Sequence, residues 1–176
     1  MMKIRIGGWA GQGTVRAGTI LGRSLSIEQD YHVAQQRSYS AAVRSGIAYS
    51  DVIADEEELD ELVIDIPDYL LVMYQDTLNE WTEIAEKAGT LIVDSSRVNE
   101  IPEVSGSVYE IPAGEIAEKI ATAKAANVVL LGSLSRVAED IDIEALKRTV
   151  KNEFPEEYRD LNIEALEKGY KKVKNE

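Results

Sequence analysis

An α/β fold is predicted, a Rossmann-like open sheet of mostly parallel strands with helices on both faces, and three observations carry that prediction. The chain opens with a short apolar strand that runs directly into a glycine-rich loop and then a helical pattern. Two continuous apolar runs, residues 66–74 and 90–94, flank a stretch that reads as a helix; strands covered on both faces have this character. Past residue 112 helical periodicity dominates, with no internal repeat or low-complexity tract. At 176 residues the chain is expected to form a single domain, 1–176, since domains commonly hold about 100–200 residues.

The opening stretch is Ile4-Arg5-Ile6-Gly7-Gly8-Trp9-Ala10-Gly11-Gln12-Gly13, a strand over residues 2–6 followed by four glycines in seven positions. Glycine serves where backbone takes positive φ or lies close against something else. The helix start that follows offers unpaired N–H groups and partial positive charge. Strand, glycine loop and helix start together make an anion-binding turn. The spacing departs from the dinucleotide fingerprint G-x-G-x-x-G: counted from Gly11, Arg16 stands where the third glycine belongs, and no lysine follows Gly13 as in a nucleoside-triphosphate loop. Two readings stay open. Gly8, Gly11, Gln12 and Gly13 contact an anionic cofactor, or the glycines only permit a tight turn. The helix over 14–28 carries Val15, Ala17, Ile20, Leu21, Leu25 and Ile27 at helical period. Gly18 and Gly22 inside it suggest close approach to the sheet, since a mid-helix glycine costs about 1 kcal/mol against alanine.

Residues 31–35 read as the return strand of a β-α-β unit. Ligands of open α/β sheets sit outside the carboxyl ends of strands, so Arg37, Ser38, Tyr39 and Arg44 are placed to meet what the glycine loop meets. Arginine suits phosphate or carboxylate; the alternative is that Arg37 and Arg44 are exposed counter-charges to the acidic segment after them. Residues 46–53 alternate apolar and polar, the pattern of a half-buried strand pairing antiparallel at one edge. Five acids in positions 55–60 suggest an exposed connection, without the glycine of a calcium loop.

A helix is expected from Gln75 to about residue 87, then a strand over 90–94. Gln75 and Asp94-Ser95-Ser96 fall on the ligand edge, with Asp94 read as a helix or turn cap. A strand over 107–111 precedes a helix opened by Pro112. Residues 125–134 form a buried helix whose polar Asn127 either caps it or meets a partner or ligand. Asp142 is read as capping a helix over 143–152, and Asn162 as capping the last helix.

Composition excludes several chemistries. There are no cysteines, so disulfides, iron–sulfur ligation by this chain and a cysteine nucleophile are ruled out. His32 is the one histidine, which removes a histidine–cysteine zinc site, and no metal ligands are assigned. The formal charge of −13 and the absence of a basic stripe argue against nucleic acid and fit a basic partner subunit. No run approaches the roughly 18 apolar residues of a membrane span, and no signal peptide is evident. A cytoplasmic location without membrane contact is expected.

Five motifs occur in order: Ile-Gly-Gly-x-x-Gly-Gln-Gly, then Ser38-Tyr39 with Arg44 and Gly46, Pro67-Asp68, Leu91-Ile92-Val93-Asp94-Ser95, and Ala126-Asn127-Val128 with Leu131-Gly132. Across residues 4–170 the chain resembles the γ subunit, or domain III, of the 2-oxoacid:ferredoxin oxidoreductases, the pyruvate, 2-oxoisovalerate and 2-oxoglutarate enzymes. The resemblance implies a non-catalytic subunit of a complex that decarboxylates a 2-oxoacid on thiamine diphosphate, passes electrons through iron–sulfur clusters to ferredoxin and releases acyl-CoA. Thiamine and clusters would lie on α and β subunits, with a δ subunit as an additional partner, because this chain has no Gly-Asp-Gly motif and no cysteine. The γ-type role implied is covering the active site and helping to bind CoA, through Gly8, Gly11, Gln12, Gly13, Ser38, Tyr39, Arg44 and Asn127. The family's Ser-Tyr-Gly-Pro-Glu-Ala-Arg-Gly-Gly segment is altered here to Ser38-Tyr39-Ser40-Ala41-Ala42-Val43-Arg44-Ser45-Gly46, and Trp9-Ala10 stands before Gly11. Alternatives are a stand-alone CoA- or nucleotide-binding module, a subunit of an indolepyruvate-type enzyme, and, for the isolated chain, a homodimer.

Overall fold

A computed structural model describes residues 1–39, 46–120 and 123–173. The order is β1 (Met2–Trp9), α1 (Thr14–Arg23) continued by a π-helical turn at Ser24–Glu28, β2 (His32–Tyr39), β3 (Ile47–Asp55), β4 (Tyr69–Val72), α2 (Gln75–Glu80), α3 (Thr82–Lys87), β5 (Thr90–Asp94) and β6 (Ser107–Ile111). Then come α4 (Ala113–Ile120), a 3-10 turn at Ala123–Ala125, α5 (Ala126–Val137), α6 (Ile143–Glu153) and α7 (Glu156–Lys172).

The six strands form one mixed sheet in the order β2-β3-β1-β4-β5-β6. Neighbours from β1 through β4 and β5 to β6 are parallel, whereas β3 is antiparallel to both β1 and β2. The α/β architecture with a mostly parallel sheet is as expected, with two corrections. First, β2 runs in the direction of β1, as a return strand should, but β3 lies between them. Second, β3 is an interior strand, not an edge strand.

Its polar residues explain the misreading, because each has a partner across the sheet. Asp51 accepts from Nε and Nη2 of Arg5, both at 2.7 Å. The guanidinium also sits over the rings of Tyr49 and Trp81, 5.2 and 5.7 Å from their centroids. The bond to Asp51 raises the Arg5 pKa against the opposing effect of burial. Ser50, on the other face, is fully buried and accepts from Gln35 Nε2 at 2.8 Å.

Alternation along the strands divides the core. Ile4, Ile6, Leu71, Met73 and Ile92 belong to the core on the α1 and α5 side, which residues of α4 and α7 extend, and Leu70, Val72, Leu91 and Val93 face α2 and α3. Side chains alternate between faces along a strand, so a strand covered on both sides reads as an unbroken apolar run. Gly18 lets α1 approach the sheet, for a Cβ there would land on the Ser50 side chain; at Gly22 a Cβ would meet only Val33 Cγ1 at an ordinary 3.5 Å.

The helix expected over 75–87 is two helices. They break at Trp81, whose indole is seated against Gly7 of β1, where a Cβ would collide with the ring. Asp142 caps α6 as expected, accepting from Glu144 N and Ala145 N at 3.0 and 3.2 Å. Asp94 is likewise a cap: its Oδ1 accepts from Ser96 N and Gly114 N. Asn162 is not a cap. The last helix opens at Glu156 behind Pro155, and Asn162 lies inside it, donating from Nδ2 to Tyr158 O at 2.8 Å.

Helices α5 and α7 cross with backbone on backbone. A Cβ on Gly132 would land on the Leu166 carbonyl, and one on Gly169 on the Val129 carbonyl. Ser133 Oγ, fully buried, donates to Gly169 O at 3.0 Å. This crossing sets where the start of α7 lies relative to the start of α5, and therefore shapes the site.

Candidate functional site

Gly11 (φ 89°) and Gly13 (φ 81°) both adopt the left-handed conformation that glycine takes without strain. Gly13 is the N-cap of α1, and no side chain caps that end; its first turn holds no acid. The loop is braced from within. Gln12 Oε1 accepts from Trp9 N at 2.7 Å, and Gln12 N donates to Trp9 O at 3.1 Å. Asn127 Nδ2 donates to Gly13 O at 3.0 Å, while its Oδ1 accepts from Val128 N at 2.9 Å. Asn127 thus satisfies part of the α5 start and ties it to the glycine loop.

A cavity of about 520 Å³ opens on this loop, with Gly11, Gln12 and Gly13 on one side and Ala125 and Asn127 on another. The far wall comes from Phe154, Pro155, Tyr158 and Asn162 around the start of α7. The N-cap residues of three helices, Gly13 of α1, Ala125 of α5 and Pro155 of α7, all line it, and none makes a side-chain cap hydrogen bond. Each helix start carries partial positive charge; Glu156 and Glu157 offset part of it at α7. Arg16 and Lys124 stand on the rim. Arg16 stacks its guanidinium 4.0 Å from the Phe154 ring centroid and donates to Glu153 O at 3.1 Å. On a chain of net charge −13 the residues that line this cavity include two cations and no carboxylate, with the backbone of Gly11 uncovered. At Gly11 a Cβ would meet nothing within 4 Å.

The predicted site residues divide. Gly11, Gln12, Gly13 and Asn127 line the cavity. Gly8 lies beneath the loop: a Cβ there would sit 2.6 Å from Gln12 Oε1 and 3.0 Å from Met73 Cβ. Ser38 and Tyr39 end β2, paired with Tyr49 and Ala48, with β3 between them and β1. Arg44 lies outside the described residues. Trp9 leaves the cavity open and packs edge-on against Tyr74, with ring centroids 5.6 Å apart. Gly46 meets the same indole, and the Ala10 N–H donates to the Gly46 carbonyl at 2.7 Å. Arg16, Lys124, Phe154, Tyr158 and Asn162 line the cavity too, and the sequence pattern did not assign them to it. The signal available for them was the Phe154-Pro155 helix start and the glycines inside the two crossing helices.

Among the described residues no group of three or more His, Asp or Glu is placed to hold a metal ion, and no helix is long and apolar enough to cross a membrane.

Comparison with known proteins agrees with this architecture. Residues 3–172 match the family model of the pyruvate ferredoxin/flavodoxin oxidoreductases. The chain is 31% identical over 175 residues to the 2-oxoglutarate synthase subunit KorC of Methanocaldococcus jannaschii, covering 98% of this chain and 94% of that protein. The γ subunit of a keto/oxoacid ferredoxin oxidoreductase from Geobacter sulfurreducens has the same fold, with a TM-score of 0.85, 26% identity and 98% of each chain covered. The 2-oxoglutarate:ferredoxin oxidoreductase of Magnetococcus marinus, solved with 2-oxoglutarate, coenzyme A and succinyl-CoA bound, contains the fold in 30% of its chain, with a TM-score of 0.86 over 97% of this one. At 22% identity that likeness is one of fold. The match across nearly its whole length shows that this chain belongs to the pyruvate ferredoxin/flavodoxin oxidoreductase family, as a γ-type subunit of a multi-subunit 2-oxoacid:ferredoxin oxidoreductase.

Proposed function

We propose that residues 1–176 act as one γ-type domain in a complex that oxidatively decarboxylates a 2-oxoacid to its acyl-CoA, and that the glycine-loop cavity holds the phosphates of CoA. The name of the Methanocaldococcus relative favours 2-oxoglutarate as the 2-oxoacid. The observation that carries the CoA assignment is the convergence of three helix starts whose N-cap residues offer no side-chain cap, with Arg16 and Lys124 at the rim, on backbone that Gly11 leaves bare. Phosphate oxygens are the groups such backbone favours. CoA supplies the thiol that accepts the acyl group. On this chain Gly11 and Gly13 give its phosphates access to the amides, Gln12 and Asn127 hold the loop in shape, and Arg16 adds charge. Ser38, Tyr39 and Arg44 are proposed to serve the CoA or substrate side of the complex. Thiamine diphosphate and the iron–sulfur clusters are assigned to α, β and δ partner subunits, which would deliver electrons to ferredoxin, because this chain has neither a Gly-Asp-Gly motif nor a cysteine.

The test is co-purification with those subunits, followed by 2-oxoacid- and CoA-dependent reduction of ferredoxin by the assembled complex. Arg16→Glu is expected to raise the KM for CoA about 10- to 100-fold, the effect of losing and reversing one charge-assisted contact. An unchanged KM for CoA would remove the phosphate assignment, and a chain that purifies without partners would remove the γ role. A second reading, a stand-alone CoA- or nucleotide-binding module, draws on the cavity's lining by the glycine loop and two helix starts of this chain. Calorimetry on the isolated protein separates the two, since micromolar CoA binding without partners favours the module.

A further inference from the structure

The two edges of the sheet are guarded differently. β6 is five residues long and carries Glu110. β2 runs for eight residues, His32–Tyr39, without proline, glycine, lysine or an acid, and among the described residues it pairs with β3 alone. Native edge strands are usually kept short, charged or interrupted, because their outward N–H and C=O groups accept a further strand. Arg37, the one charged side chain of β2, is no such guard. It turns onto the α1 face, where its Nη2 donates to Thr19 Oγ1 and Gln35 Oε1. On the opposite face Ala34 and Gln36 line a cavity of about 170 Å³ together with Gln35, Asp51, Ile53 and Leu62. Side chains of a strand alternate between faces, so a strand laid along β2 would bring one to this cavity. A cavity of about 150 Å³ takes a benzene ring, so the room suits a leucine-sized group. Beside it Leu62 and Val63 are 59% and 57% exposed. The same segment bears Glu56, Glu57, Glu58, Asp60 and Asp65, all exposed, and among the described residues none of them has a cation within ion-pair distance, unlike Asp55 and Glu61.

We propose that β2 accepts one more strand, an extended segment of a sister subunit of the oxidoreductase complex, which seats an apolar side chain between Ala34, Gln36 and Leu62 and carries lysine or arginine beside it. Main-chain bonds along β2 supply the affinity, and the cavity supplies the selectivity. The unpaired carboxylates set the sign of the incoming charge. They also argue against a second copy of this chain as the occupant. Twofold self-pairing at β2 would bring the same acids from both copies toward one contact, on chains of net charge −13 each. The surface shares no lining residue with the glycine-loop cavity. The proposal rests on the γ-type role, since the complex is what supplies the added strand, and it is independent of the CoA assignment.

The test is hydrogen–deuterium exchange over residues 32–39, measured in the isolated chain and in the assembled complex. The outward amides of β2 are expected to exchange about 100-fold more slowly in the complex, as main-chain bonds to an added strand require. Gln36→Lys installs the guard that native edges use, at an exposed position where folding tolerates change. It is expected to weaken assembly about tenfold, by setting a cation against the basic segment at the mouth of the cavity. Equal exchange over β2 in the chain and in the complex overturns the proposal, and so does Q36K assembling as tightly as the unsubstituted chain. Protection that arises in the isolated chain on concentration alone, at the mass of a dimer, also overturns it, because the occupant is then a second copy. A chain that joins the complex with β2 unprotected keeps the γ role and loses this assignment, whereas a chain that joins no complex loses both.

Discussion

At the crossing of α5 and α7, Gly132 and Gly169 bring backbone onto backbone, whereas in the loop after β1, Gly11 and Gly13 leave backbone uncovered. The same residue type serves closure in one region and access in the other. At the crossing the missing Cβ is replaced by a carbonyl of the opposite helix. At Gly11 it is replaced by nothing within 4 Å. The two regions are coupled, because the crossing sets the place of the α7 start, which is the far wall of the cavity under which the loop lies. An open site is therefore framed by a helix crossing that has no room for a methyl group.

Substitution by alanine breaks the two regions differently. Gly132→Ala or Gly169→Ala is expected to cost about 3 kcal/mol in urea denaturation, since the methyl meets rigid backbone and the helices must separate. A loss below 1 kcal/mol would mean that the crossing is looser than described. Gly13→Ala combines a left-handed φ with an Asn127 Nδ2 only 2.5 Å from the new Cβ, and about 2 kcal/mol is expected, with the loop displaced. Gly11→Ala faces the backbone penalty alone, about 1 kcal/mol, so its larger effect should fall on ligand affinity. Gly22→Ala, in the interior of α1 with no close contact, should reverse the sign and stabilise by about 0.5–1 kcal/mol. If all five substitutions cost alike, the distinction between the two regions fails.

The smallest expected effect lies at the opposite ends of the strands, away from both regions. The terminal amine of Met1 pairs with Asp55 at 2.6 Å. That bond raises the amine pKa above its ordinary 8.0 and lowers the Asp55 pKa below its ordinary 3.8. The contribution is thus complete between those two ordinary values. It fades as pH rises through the raised amine pKa and as pH falls through the lowered carboxyl pKa. N-terminal acetylation should flatten the alkaline side of a plot of Tm against pH while leaving CoA-dependent turnover alone. Both groups are solvent-accessible, so the shift in Tm should be small.

Much of this architecture was legible from local pattern. β5, β6, α5 and α6 announce themselves through apolar runs or helical period, and Asp142 through its capping chemistry. β3 was misplaced because Tyr49-Ser50-Asp51 alternates like a strand with one wet face. The polar positions are buried pairs on opposite faces, Asp51 with Arg5 and Ser50 with Gln35, and only the neighbouring strands reveal them. Asn162 was misread for a related reason: asparagine favours helix starts, but here its amide turns back on the Tyr158 carbonyl within a helix already under way. The glycine loop was legible as half of a site. The other half, Phe154 to Asn162, is placed by the fit of Gly132 against Leu166 and Gly169 against Val129, pairs 34 and 40 positions apart along the chain.

The positions of the two indoles make the molecule its own optical reporter. Trp81 is 9% exposed behind β1, against Gly7 and 5.7 Å from the Tyr49 ring centroid, whereas Trp9 sits at the end of β1 beside the glycine loop and Tyr74. With Trp9 replaced by phenylalanine, emission would follow the interior alone; with Trp81 replaced, it would follow the rim. Quenching that changes on adding CoA in the second protein and stays constant in the first would time events at the loop separately from unfolding, without any attached dye.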